Sequence, residues 1–305
     1  MGSKHSSSKC TSTTIDYIRT KDVNKLTRQL SKRSLSFRNK KKKRNDETNN
    51  RQSLQLDVIN DEQHRSALHL AAIEGDAAII VALYEYMHTV DVTDVLGRTP
   101  LHYAAISGNE ETLTTLLLCN PDVNRMSHDG TSPLHEAIIH DYSRIFTLLI
   151  QYHADVNQLF QNYLPGFILA VYLQRRSIVE LYLRLGTDPN VSETNLNRTA
   201  LHYAAYFHNN TMIFHLLLSS SVYHTIDINA RDDNGFSVLD YARANIHGCT
   251  EFIDLLLQIS VFDPNRGEIS VDDIEIEKPN IKQYESSDEL SSLKKKGKQE
   301  KKAKK

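Results

Sequence analysis

The sequence is poor in the elements that cross-link, anchor or catalyse. Its three cysteines, Cys10, Cys119 and Cys249, stand far apart, without the paired spacing of a zinc site or a disulfide framework. No apolar run approaches the roughly 18 residues of a membrane span. Residues 1–30 contain no apolar stretch of the about 7–15 residues that mark a secretory signal. The expectation is an intracellular protein that is not integral to a membrane. There is no HExxH helix, no Gly-rich phosphate loop and no nucleophile elbow. An enzyme is therefore not expected, and neither is a cofactor or a metal.

Charge is present in near balance but is unevenly placed. The 305 residues carry a formal net charge of −2. Residues 1–55 hold 15 basic and 4 acidic side chains, and residues 291–305 hold 8 Lys and one Glu, so a body at −20 separates basic segments at +11 and +7. Such asymmetry predicts segments that meet anionic surfaces.

The body is periodic. Ser66-Ala67-Leu68-His69 recurs as Thr99-Pro100-Leu101-His102, Ser132-Pro133-Leu134-His135, a degenerate copy at Pro165, Thr199-Ala200-Leu201-His202 and Ser237-Val238-Leu239-Asp240. The steps are 33, 33, 33, 34 and 38 residues, and Asp122-Val123-Asn124, Asp155-Val156-Asn157 and Asp188-Pro189-Asn190 keep step with them. Repeats of this length mark a solenoid, because one unit cannot bury both of its faces alone. Thr99 reads as a helix N-cap with Pro100 at the first helical position. Leu101, Ala104 and Ala105 give a small packing face, Gly108 a turn, and Leu113, Leu116 and Leu117 a second helix.

These residues resemble the ankyrin repeat, from Asp61 to Ile259. The resemblance implies an all-α solenoid of helix–turn–helix units with short β-hairpin turns, over residues 58–262. It also implies that His69, His102, His135 and His202 bond turn backbone and Thr/Ser groups rather than bind metal. The fourth copy lacks both the cap and the His, and about four residues are inserted around Ser219–His224. Local looseness or a special contact is expected at both. Residues 13–33, with Ile15, Tyr17, Leu26 and Leu30 at matching places, read as a capping repeat. Residues 34–57 read as a disordered basic loop, and 263–305 as a disordered acidic and then Lys-rich tail.

In the ankyrin family the positions after the Ala-Ala pair face a concave groove that binds other proteins, which implies Ile106, Ile139, Tyr172, Tyr206 and Phe207 here. The turns add Leu96, Met126, Leu159 and Phe236. Aromatic and Met side chains are typical interface anchors, so a partner protein is expected on a groove centred on the third to fifth repeats. The bland alternative is that about half of them pack between repeats.

Residues 1–12 read as a flexible lipid-anchor segment. Met1-Gly2-Ser3-Lys4-His5-Ser6 fits the N-myristoylation pattern on Gly2, against the alternative of a chance Met-Gly-Ser start. One acyl chain needs a second signal: Cys10 as a palmitate acceptor, Lys4 and Lys9, and the cluster Arg38, Lys40, Lys41, Lys42, Lys43 and Arg44 supply candidates. Phosphate on Ser34 or Ser36 would cancel part of that charge, giving a reversible attachment to an anionic membrane. Ser286 lies in an acidic kinase-type context. The same basic runs also read as nuclear-import signals, and Arg33-Ser34-Leu35-Ser36-Phe37 weakly resembles a phosphatase-docking motif. The favoured reading is a monomeric, cytoplasmic adaptor held at a membrane. A nuclear ankyrin-type regulator of transcription and a phosphatase regulatory subunit remain open. The acidic body argues against nucleic acid.

Overall fold

The computed structural model describes residues 16–42, with side chains to Lys32, then 63–87, 89–207 and 226–244, and the helical positions Ile213, Leu216, Leu217, Ile253, Asp254 and Leu256. These fall into two compact units that divide at Ala154–Asp155.

In the first unit a helical turn at 16–20 precedes α1 (Val23–Lys42). Asp22 starts α1 by accepting the Lys25 N–H at 3.0 Å. Leu26 and Leu30, one helical turn apart, are fully buried together with Ile18, and this face is laid on α3 (Ala77–Tyr84). The helix runs past the boundary that composition suggests. Residues 34–42, read above as disordered loop, are helical. They contain no Pro or Gly, their Leu, Arg and Lys favour helix, and basic residues at the helix C-terminus complement its dipole.

Three helix pairs follow: α2 (Ala67–Glu74) with α3, α4 (Pro100–Ser107) with α5 (Glu110–Leu118), and α6 (Pro133–Ile139) with α7 (Ser143–Gln151). First helices pack on first helices and second helices on second. Ala71, Ala72, Ala104 and Ala105 are all fully buried, so backbones approach closely along that seam. The second helices α3 and α5 open on Asp76 and Asn109, whose side chains accept the Ile79 N–H at 3.1 Å and the Thr112 N–H at 2.9 Å. Gly108 closes α4 at φ 68°. A Cβ there would lie 2.7 Å from the Tyr142 ring, so both torsion and space require glycine.

The second unit holds a two-stranded antiparallel hairpin, β1 (Leu159–Phe160) and β2 (Leu164–Pro165), then α8 (Gly166–Tyr172), α9 (Arg176–Arg184), α10 (Ala200–Phe207) and α11 (Val238–Ala244). α8 packs on α10 and α10 on α11. At the degenerate fourth copy an apolar plug replaces the polar cap. Phe160, Leu164, Phe167, Ile168 and Leu169 are buried there, and the Phe167 ring meets Tyr182 edge-on at 5.7 Å. The insertion at Ser219–His224 lies outside the described residues, as do the segments 1–12, 43–57 and 263–305. Among the described residues no helix is long and apolar enough to cross a membrane.

Candidate functional site

The histidines are the chemically richest of the repeated side chains. At each complete repeat start the backbone N–H of the capping Ser or Thr donates to the His Nδ1: Ser66 to His69 at 3.0 Å, Thr99 to His102 at 3.0 Å, Ser132 to His135 at 3.1 Å and Thr199 to His202 at 3.1 Å. An accepting Nδ1 puts the proton on Nε2. That nitrogen then donates to the carbonyl ahead of the next cap, from His69 to Arg98 at 2.9 Å and from His102 to Thr131 at 3.0 Å. Burial holds His102 and His202 down at a pKa of about 4. His69 and His102 thus brace consecutive repeats. Among the described residues no group of three His, Cys, Asp or Glu could hold a metal ion.

A second brace holds the turns. The Asp94 carboxylate accepts the Leu96 N–H at 2.8 Å, the Arg98 N–H at 2.9 Å and the Tyr103 hydroxyl at 2.7 Å. Asp232 repeats this with Asn234, Phe236 and Tyr241 at 3.1, 2.7 and 2.7 Å, and Glu193 takes the Tyr203 hydroxyl at 2.9 Å. Burial pushes all three phenols well above their ordinary range. The tyrosines stay protonated donors, so these turns are fixed over the first helices.

On that frame the second unit carries a continuous aromatic row. Tyr172 at the end of α8 meets Phe207 of α10 edge-on at 5.0 Å and Tyr203 at 6.3 Å. Phe207 meets Tyr206 at 4.9 Å, Tyr206 meets Tyr241 of α11 at 6.1 Å, and Tyr241 meets Phe236 at 6.4 Å. Tyr203 and Tyr241 are buried, whereas Tyr172, Tyr206, Phe207 and Phe236 are half-buried. Edge-to-face rings at these separations are mutually attractive, so the exposed edges are held before anything docks.

The other expected contact residues are placed differently. In the first unit Leu96 projects from a turn, 46% exposed, while its carbonyl accepts the His128 N–H at 2.9 Å. Ile106 and Met126 are half-buried, as is Leu159 in the second unit. Ile139 is corrected: at 5% exposure it is core. An isoleucine has no polar tip to keep wet, so burying its whole side chain is favourable. Tyr172, Leu159, Tyr206, Phe207 and Phe236 belong to one unit and Leu96, Ile106, Met126 and Ile139 to the other. Sequence reasoning missed Tyr203 and Tyr241, the buried joints of the row. Their signal is a Tyr directly after the fourth residue of the repeated motif, His202 or Asp240, with an acid nine or ten residues earlier. It also missed exposed Tyr84, Val81 and Leu118, which break no sequence pattern.

The tether residues are less visible. Gly2, Lys4, Lys9, Cys10, Lys43, Arg44 and Ser286 lie outside the described residues, while Ser34, Ser36, Arg38, Lys40, Lys41 and Lys42 lie along the C-terminal half of α1.

A family model described as ankyrin repeats in three copies matches residues 45–127, 68–159 and 167–267. No curated protein matches the sequence. The ankyrin repeat domain of human ASB11 is 23% identical, with a TM-score of 0.58, over 80% of this chain and 96% of that one. The ankyrin repeat domain of Bcl-3, described as a unique member of the IkappaB protein family, is 21% identical, with a TM-score of 0.61, over 80% of this chain and 97% of the other. At such identities the likeness is one of fold.

Proposed function

The chain belongs to the ankyrin-repeat family, and from that premise we propose that it is an adaptor whose protein partner docks on the aromatic row of Tyr172, Tyr206, Phe207 and Phe236. Ankyrin repeats bind partner proteins, and their fold is a non-enzymatic interaction fold. The observation that carries the reading is the row itself. Four half-buried aromatic side chains, locked edge-to-face on a rigid frame, supply large contact area at little cost in rotamer entropy. Leu96, Ile106 and Met126 give the first unit a smaller apolar surface for the same purpose.

An N-terminal tether completes the reading. Acylation at Gly2, with Cys10, Lys4, Lys9 and the basic run Arg38 to Arg44, would hold the adaptor reversibly at an anionic membrane in the cytoplasm. Support comes from the need of a single acyl chain for a charged or lipid companion.

The docking test uses Tyr206→Ala with Phe207→Ala. Hot-spot aromatics cost about 2 kcal/mol or more each on truncation, which is roughly 30-fold in affinity. Quantitative affinity capture should therefore lose the specific partner, while circular dichroism shows the helices intact. Undiminished capture by a folded double variant would overturn the assignment.

A further inference from the structure

Lysine is distributed in an all-or-none way. Nine lysines lie in residues 4–43 and ten in 278–305, and residues 44–277 contain none. The same stretch contains 13 arginines. With Lys and Arg equally available, as their overall numbers suggest, that outcome is roughly one in ten thousand. The flanking segments use Lys freely, so a general shortage of lysine is not the cause.

Folding explains only part of it. Arg65 and Arg198 are buried, and Arg98 lies over the Tyr103 ring at 5.4 Å, where a planar, weakly hydrated guanidinium is the better cation. Six others are exposed: Arg125, Arg144, Arg176, Arg184, Arg231 and Arg243. Arg144, with its side chain 81% exposed, reaches Glu110 at 3.8 Å, and Arg176 reaches Glu180 at 2.9 Å. An ammonium would serve such solvated pairs as well. What separates the two cations there is reactivity, because only the lysine amine is an acyl acceptor.

We infer that the repeat body is kept free of acceptor amines so that isopeptide transfer of a ubiquitin-type modifier is confined to the flanking lysines, exposed Lys25 and Lys32 among them. In the transfer the ε-amine attacks a thioester carbonyl. The C–N bond forms, the C–S bond breaks, and the sulfur leaves as thiolate while the nitrogen gives up its proton. The benefit of a bare body rests on the docking reading above: a bulky modifier linked to the repeats would cover the surface that a partner needs.

The test expresses the full chain in a cultured eukaryotic line. One variant carries Arg125→Lys, Arg144→Lys, Arg176→Lys and Arg184→Lys, and a second carries Gln at those four positions. In the wild type, Gly-Gly remnants after trypsin should map to residues 4–43 or 278–305. The Lys variant should gain remnants at the new positions and lose at least half of its lifetime in a chase, and proteasome inhibition should restore it. The Gln variant should match the wild type, which removes lost arginine contacts as the cause. Unmodified flanks, unmodified new lysines, acetyl groups in place of remnants, or an unchanged lifetime would each overturn the inference. Partner capture by the Tyr206/Phe207 variant is a separate readout, so failure of the docking site is distinguishable from failure here.

Discussion

A single histidine shows how a repeated motif couples stability to pH. His102 is fully buried, accepts the Thr99 N–H and donates to the Thr131 carbonyl, which requires the neutral ring. Unfolded, the ring takes a proton below about pH 6.5; folded, burial delays this to about 4. Between those values the unfolded chain holds more protons, so stability rises with pH there. The contribution is complete above about pH 6.5, falls away as the pH drops toward about 4, and changes no further below it. Its full size is on the order of 3 kcal/mol at about 1.4 kcal/mol per unit. His102→Gln should therefore be less stable than the wild type at pH 7, and the gap should narrow in urea titrations repeated down to pH 4.5. A gap that stays constant with pH would mean that the ring does not titrate with unfolding. His202, held at about 4 by the same burial, predicts the same narrowing for its own substitution.

At the scale of the element, the fourth repeat shows where pattern reading stops. The repeat starts were legible because capping chemistry demands particular residues: Ser or Thr, Pro and His at fixed offsets produce the same bonds at Thr99 and Ser132. At Pro165 those residues are missing, and sequence alone predicts only an anomaly. The replacement was not legible, since the burial of Phe160, Leu164 and Phe167 depends on long-range packing that no local signal encodes. The length of α1 was lost for the opposite reason. Composition marks residues 34–42 as polar and basic, yet helix propensity carries the backbone on to Lys42. Exposure at the expected groove positions was half legible: family position selects Tyr172 and Tyr206, which are half-buried, but also Ile139, which is core. If the apolar plug replaces the cap, Phe167→Ala should cost about 3–5 kcal/mol, as core aromatic truncations do. Phe207→Ala, half-buried, should cost clearly less. Equal midpoints for the two variants in urea unfolding would refute the plug.

At the scale of the whole molecule, near-neutrality is a cancellation between segments. Residues 1–55 at +11 and 291–305 at +7 enclose a body at −20, so an anionic membrane attracts the flanks and repels the repeats. Each basic residue near such a surface contributes about 1 kcal/mol, and a myristoyl chain alone binds only marginally. The two signals are therefore expected to be strongly interdependent. Under the proposed tether, Gly2→Ala should release a fluorescent fusion from membranes, although every basic residue remains. Charge reversal at Lys40–Lys43 should release it as well, although the acyl group remains. Phosphomimetic Ser34→Asp with Ser36→Asp should give partial release, because two added charges offset only part of the +11. The nuclear reading predicts otherwise: Gly2→Ala leaves the distribution unchanged, no acyl group appears by mass spectrometry, and only the Lys40–Lys43 variant moves, out of the nucleus.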